Sequence, residues 1–273
     1  MNIGISTLPT NRSTDIAILA KHAEEMGFES IWAPEQPILP VQTKEPVPRI
    51  WGDIVDPLIM LARASAVTSK IKLGTAVLVV PEHNPLSLAK KIATLDMYSG
   101  GRFILGIGTG SVREEGEIMG SDFPHRWTQA REAVMAMKEL WMNERSEFHG
   151  KYYDFPQVYC FPKPAQKPHP PVILGSSSSK VFKRIVTWGN GWIPINVTPE
   201  QVNKGRVMLD NLAETAGRDP ASIEITVVDV PADRVVIEQF AKAGADRVIV
   251  QVESKGEAED LDQLQRMAQL VLC

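Results

Sequence analysis

The chain has 273 residues, 44% of them hydrophobic and 23% charged, which is enough apolar material for one substantial core; a single barrel domain spanning 1–273 fits this length. Its net charge of −4, from 29 basic and 33 acidic residues, argues against a nucleic-acid scaffold. Two cysteines, Cys160 and Cys273, make no disulfide framework and point to a reducing cytoplasm. The start, MNIGISTLPT, enters a strand at once and reads as no signal peptide, and no apolar run reaches membrane-spanning length.

In chain order, Asn2 to Ser6 reads as strand one. Ser13-Thr14-Asp15 opens a helix to Glu25, closed by Gly27. Ser30 to Ala33 is strand two and runs into Pro34-Glu35-Gln36-Pro37. The proline-rich stretch from Ile38 to Trp51 suits a pocket wall better than a helix. Asp56-Pro57 opens helix two, through Thr68.

The next stretch organises the chain. Ile71 to Val80 is apolar and β-branched, so it reads as buried strand three. Asn84 caps helix three and Pro85 fits its first turn, where a missing N–H leaves nothing unpaired. Leu86, Ala89, Ala93 and Met97 share one face of it, and Gly100-Gly101 stops it. Phe103 to Ile107 is strand four, ending in Gly106-Ile107-Gly108-Thr109-Gly110. A strand, a helix and a second strand make one right-handed crossover with its polar ends at the C-terminal side, where ligands bind in α/β folds.

Residues 111–126 read as a long polar loop, and Trp127 to Trp141 as a helix. Phe148 to Phe161 alternates weakly and reads as a hairpin excursion. Lys163 to Pro171 is a proline-punctuated linker before strand five, Val172 to Leu174. Gly175-Ser176-Ser177-Ser178-Ser179 then leads into a helix to Thr187. Gly191 to Ile195 is strand six, and Thr198-Pro199-Glu200 opens the following helix, closed by Gly217. Ile223 to Val228 and Arg247 to Val252 are strands seven and eight, followed by helices over Val235–Ala243 and Asp260–Leu272. Eight strands, each followed by a helix, predict a closed (β/α)₈ barrel; an open doubly wound sheet is the alternative.

The glycines at 106, 108 and 110 lack the G-x-G-x-x-G spacing of a dinucleotide fold, and no packed helix follows them. Two readings stay open: they let the strand end pack closely, or they let a flat ring approach the backbone. Gly175 to Ser179, before a helix, offers N–H groups and hydroxyls to an anion, and Lys180, Lys183 and Arg184 add charge beside it; an ordinary serine loop with a solvated basic face is the alternative. The five histidines show no metal-ligand spacing, no C-x-x-C exists, and G-x-S-x-G is absent. Glu114-Glu115 could form an acid–base pair and His125 and Arg126 could reach a pocket, but all four read better as solvated loop residues.

The stretches GFESIWAPE, DPLIMLARASAVTSKIKLGTAVLVVPEHNPLSLAKKIATLDMYSGGRFILGIGTGSVREE, FHGKYYDFPQV, PVILGS and NGWIPI together resemble the luciferase-like monooxygenase superfamily, and within it the deazaflavin-dependent oxidoreductases. The resemblance runs from Asn2 to about Pro220. It implies a (β/α)₈ barrel that binds coenzyme F-420, or alternatively FMN, at its C-terminal mouth for hydride transfer, and that forms homodimers, here through the helices around Asp56–Thr68 and Leu86–Met97. Carried over by position, it places a strand-three bulge behind the cofactor ring at Thr75, Ala76 and Val77, with a cis bond between the last two. Gly108, Thr109 and Gly110 would line the cofactor, with Glu35 and Gln36 beside it, and Gly175, Ser176, Ser177 and Ser178 would hold its phosphate.

The chain also departs from the family pattern. Many members have Asp-His where this chain has Glu35-Gln36, and Gln36 cannot act as a base. The sugar-phosphate dehydrogenases have glutamate where this chain has Ser111. Both differences argue against that activity and name no catalytic residue. Val230 to Asp233 is too short for the insertion loop of bacterial luciferase. The expected protein transfers a hydride between coenzyme F-420 and a small organic substrate. An FMN-dependent monooxygenase and a non-catalytic flavin-binding barrel are the alternatives.

Overall fold

The computed structural model describes residues 1–272. Cys273 lies outside them, and Cys160 is a buried free thiol. The barrel strands are β1 (Asn2–Thr7), β2 (Ser30–Ala33), β3 (Lys72–Thr75) with β4 (Leu78–Val79), and β5 (Phe103–Gly108). An antiparallel hairpin, β6 (Arg145–His149) and β7 (Asp154–Tyr159), stands outside the ring. The ring continues through β8 (Val172–Leu174), β9 (Gly191–Trp192), β10 (Glu224–Val227) and β11 (Arg247–Val252). Every barrel pairing is parallel; β1 joins β11, and β3 pairs with both β2 and β5, so the ring closes. Because β3 and β4 are two pieces of one strand, the barrel has the predicted eight strands.

The helices are α1 (Ile16–Met26), α2 (Pro57–Ser65), α3 (Pro85–Tyr98), α4 (Arg113–Ile118), α5 (Arg126–Met142), α6 (Lys180–Trp188), α7 (Pro199–Thr215), α8 (Arg234–Lys242) and α9 (Glu257–Val271). Their starts follow the local chemistry that the sequence carries. Asn84 Oδ1 accepts from Leu86 N and Ser87 N, Asp56 accepts from Ile59 N, and Thr198 forms a capping box with Gln201. Gly27 closes α1 in the left-handed region, at φ 96°.

Four expectations change. Strand three is interrupted at Ala76–Val77. The supposed loop over 111–126 contains α4 and a helical turn, Phe123–His125. Strand six is regular only over Gly191–Trp192, with Ile195 making a single bridge to Val228. In α3 the core takes Leu88, Ile92 and Leu95 beside Ala89 and Ala93, while Met97 is exposed. The α3 helix packs against both α2 and α5 and therefore needs a wider apolar face than one stripe.

The core has two parts. One is the layer between strands and helices; the other fills the ring itself with Trp32, Ile104, Ile173, Ile193 and Ile249, on which Ala76, Val77 and Val228 pack. At the N-terminal end of the strands Arg247, fully buried, is held by Glu29 (2.8 and 2.9 Å), Glu224 (3.1 Å) and Thr226 (3.0 Å). That ionic plug closes one end of the barrel, and the other end is open.

Candidate functional site

The interruption of strand three builds the floor of the open end. Thr75 Oγ1 donates to Gly106 O (2.7 Å), Ala76 N donates to Ala33 O (2.8 Å), and the Ala76–Val77 peptide bond is cis, where the family resemblance places it. The bulge crowds β5 so closely that side chains are excluded there. A Cβ on Gly106 would lie 1.9 Å from Thr75 O, and one on Gly108 would lie 2.5 Å from Val77 Cγ2. A Cβ on Gly175 would lie 3.0 Å from the other methyl of Val77. Close packing of the strand end therefore accounts for Gly106 and Gly108, and it leaves Val77 as an apolar step on the floor.

Val77 is pinched between two glycines, so Gly108→Ala has no free space to use. We expect it to cost about 1–3 kcal/mol, as overpacked cores do, and to displace Val77 into the cavity. A urea melt and a ligand titration check this; a variant of unchanged stability and affinity would show that Val77 rearranges freely.

Above the floor lies a cavity of about 540 Å³. Ala76, Val77, Ile193 and Val228 form its base, and Gly108, Thr109 and Gly110 one wall. Glu35 and Gln36 stand at a second wall, and Gly175, Ser176 and Ser177 at the far edge, before α6. Val47 and Trp51 also line it, so the proline-rich stretch does form a pocket wall. Two of the expected site residues stand apart: Thr75 is fully buried behind the bulge, and Ser178 is exposed on the outer side of its loop.

The electrostatics of the wall come from groups far apart in the chain. Glu35 Oε2 accepts from Val79 N (2.6 Å) and Oε1 lies 2.9 Å from His83 Nε2, so Glu35 ties β4 to the loop after β2. Gln36 Nε2 donates to Ile38 O (2.8 Å). The pair Glu114-Glu115, read as solvated, divides. Glu114 accepts from Lys44 N (2.9 Å), whereas Glu115 is 2% exposed and lines the cavity. Burial pushes the Glu115 carboxyl up, partly offset by hydrogen bonds from Gln36 and Ile38. Glu82 behind it is pushed up to about 8, first by burial and then by the charges of Glu115 and Glu35. The sequence reading passed over Glu82 and preferred a solvated Glu115, because nothing local to VPEHN or VREEG shows that the two acidic segments will meet. His125 stays at the surface, paired with Asp122, while Arg126 reaches the cavity with its guanidinium 4.0 Å from the Phe123 ring. Among the described residues no cluster of three or more His, Cys, Asp or Glu could hold a metal ion, and no helix is long and apolar enough to cross a membrane.

The serine loop joins the cavity to a second depression. Ser176 and Ser177 line the cavity; Ser179, Lys180 and Lys183 line an open groove of about 810 Å³ between α6 and α7. Lys204 of α7 faces into the same groove beside Val207 and Met208. Arg184, grouped with the lysines from its position in the sequence, lies instead over the Trp127 ring at 4.3 Å, and Trp127 lines the cavity. The α6 N-cap, Ser179, makes no side-chain capping bond.

A closed parallel barrel with a cofactor-sized cavity at the C-terminal ends of its strands, a bulged third strand and a serine loop before a helix defines a class of ligand-binding α/β barrels. The chain belongs to the luciferase-like monooxygenase family, whose model matches residues 1–234. Over its whole length it is 33% identical to the uncharacterized protein Rv0953c of Mycobacterium tuberculosis, 99% of which is covered. Among solved structures it is similar to the monooxygenase RslO1 of Streptomyces bottropensis (TM-score 0.84, 21% identity, 100% and 99% of the two chains covered). It is also similar to the coenzyme F420 dependent tetrahydromethanopterin reductase of Methanopyrus kandleri (TM-score 0.81, 20% identity, 99% and 98% covered).

Proposed function

We propose that this chain is a deazaflavin-dependent oxidoreductase that moves a hydride between coenzyme F-420 and a small organic substrate. The observation that carries the reading is the continuity of three surfaces: an apolar floor at Ala76–Val77, a serine loop at Gly175–Ser179, and a lysine groove beyond it. A flat ring fits the first, a phosphodiester the second and an anionic glutamate tail the third. When bound, the deazaflavin supplies a hydride donor or acceptor at C5; the protein orients it and excludes water. Ser176 and Ser177 would hold the phosphate, with Gly108 to Gly110 alongside the ring. FMN is the second reading, since a terminal phosphate needs the serine loop but not the groove.

Each exposed lysine contributes only about 0–1 kcal/mol, so selectivity depends on several acting together and weakens with salt. At low salt we expect F-420 to bind more tightly than FMN by roughly tenfold, or about 1.4 kcal/mol. The triple change Lys180→Ala, Lys183→Ala and Lys204→Ala should narrow that ratio. Titration following cofactor fluorescence measures it; equal affinities, or a ratio untouched by the triple change, would favour FMN.

The protein is also proposed to be a cytoplasmic homodimer. Leu88 and Leu95 of α3 are buried in the core and offer nothing to such an interface. The outer faces of α2 and α3 instead present Ile59, Met97 and Tyr98. Light scattering at micromolar concentration should report twice the chain mass, and an interface of more than about 1,000 Å² is required.

A further inference from the structure

Two carboxyl groups beside the cavity are left without hydrogen-bond partners that their burial calls for. Glu115, 2% exposed and on the cavity wall, has an Oε1 with no partner among the described residues. Glu82, 7% exposed, has none for either oxygen. Glu82 closes the short helical turn Val80–Glu82 after β4, and its Oε1 lies against Gly110 and against α4, the helix that carries Glu115. A Cβ on Gly110 would lie 3.1 Å from that oxygen, and one on Gly116 3.7 Å. A buried carboxylate oxygen with no partner is costly, and two neighbouring buried carboxyls with no cation between them disfavour both being ionised at once.

The groups around them do not relieve this. Glu35 adds a third acid, held by Val79 N and His83. Gln36 bonds Glu115 from the loop after β2. Arg113 and Arg126 lie over the Phe123 ring, at 5.0 and 4.0 Å, and neither pairs with Glu82 or Glu115. Of the two carboxyls, Glu115 faces the space where a substrate would sit and Glu82 stands behind it.

We propose that Glu115 exchanges a proton with the substrate in this cavity and that Glu82 is its proton reserve. The proposal rests on the oxidoreductase reading above. For a carbonyl substrate, the carbonyl carbon would receive a hydride and its two electrons from the N1-deprotonated reduced deazaflavin, which leaves the neutral oxidised ring. The carbon–oxygen π pair moves to oxygen, and that oxygen takes the proton of Glu115. The products are an alcohol, the oxidised cofactor and the Glu115 carboxylate. Glu82 then returns a proton to Glu115, and water restores Glu82. Alcohol oxidation runs the same steps in reverse, with the carboxylate as base.

The first test needs no cofactor. In the full chain labelled with ¹³C at the glutamate carboxyls, one resonance should titrate near pH 8, the value at which burial and its acidic neighbours hold Glu82. It should vanish in Glu82→Gln and move toward the ordinary carboxylate range in Glu115→Gln. No glutamate titrating above that range overturns the proposal. The second test is single-turnover hydride transfer from reduced F-420 to a panel of carbonyl compounds. Glu115→Gln should slow it by at least about a hundredfold, the usual scale of a general acid, with cofactor affinity within about twofold, and Glu115→Asp should recover part of the rate. Glu82→Gln should move the alkaline limb of the pH profile to lower pH. A Glu115→Gln variant as fast as wild type overturns the proposal. If the wild-type protein binds no deazaflavin, the oxidoreductase reading falls and the substrate step falls with it, while the titration still decides whether the pair holds a proton.

Discussion

Glu82→Gln should make the protein more stable than wild type above pH 8, and the gain should disappear below pH 4.5. The Glu82 carboxyl has an ordinary value of 4.5 and stands at about 8 in the fold, through burial first and then through Glu115 and Glu35. Between those values the folded state keeps a proton that the unfolded chain has released. Stability therefore falls as pH rises through that window, by about 1.4 kcal/mol per unit at most. Glutamine does not titrate, so its variant escapes the loss, which amounts to a few kcal/mol, on the order of 4. Urea midpoints across the window measure the difference. Parallel stability curves for variant and wild type would mean that Glu82 is solvated or paired in solution.

Arg247→Met should destabilise the protein by about 3–5 kcal/mol, the range for breaking a buried ion pair by removing one partner. The guanidinium is fully buried, bonded twice to Glu29 and once each to Glu224 and Thr226, with its carbon 5.6 Å from the Trp32 ring centre. Methionine fills much of the volume but leaves Glu29 at the closed end of the barrel with only Lys72 to answer its charge. Adding Glu29→Gln to the variant should recover a large part of the loss. The pH dependence gives a second check. Burial alone would raise the Glu29 carboxyl, but the bonds and charge of Arg247, with Lys72, outweigh it and hold it at about 2. That contribution is present above 4.5 and is lost as pH falls toward 2. Without Arg247 the acid limb of the stability curve should flatten. Binding of the proposed cofactor at the opposite end of the barrel should be unchanged in protein that remains folded; a matching loss of affinity would mean the two ends are coupled.

The element order was legible because its signals are local. Asn84-Pro85, Asp56-Pro57 and Thr198-Pro199 start helices where they stand, since a cap needs only an N–H two or three residues ahead. Apolar runs such as Phe103–Ile107 and Arg247–Val252 report buried strands through their own composition, and their alternation with helices implies the closed barrel. The floor of the cavity was legible through family resemblance, which placed the bulge at Thr75–Val77; the physical reason for the glycines opposite it appears only when β3 and β5 lie side by side.

What the amino-acid sequence by itself determined is therefore the set of elements, their caps and their order around the ring. Ring closure decided the chemistry of the site, because it joins groups that no local pattern relates. It sets Arg247 on Glu29, 218 positions away, and brings Glu82 from the turn after β4 against α4, which carries Glu115. It turns Arg184 onto Trp127 and supplies Lys204 from the next helix to the groove of Lys180 and Lys183. The fate of a charged side chain, solvated or buried, depends on which other segment covers it. Caps and periodicity carry information only over a turn or two of chain, whereas the burial and pairing that set these charges arise from contacts made across the closed barrel.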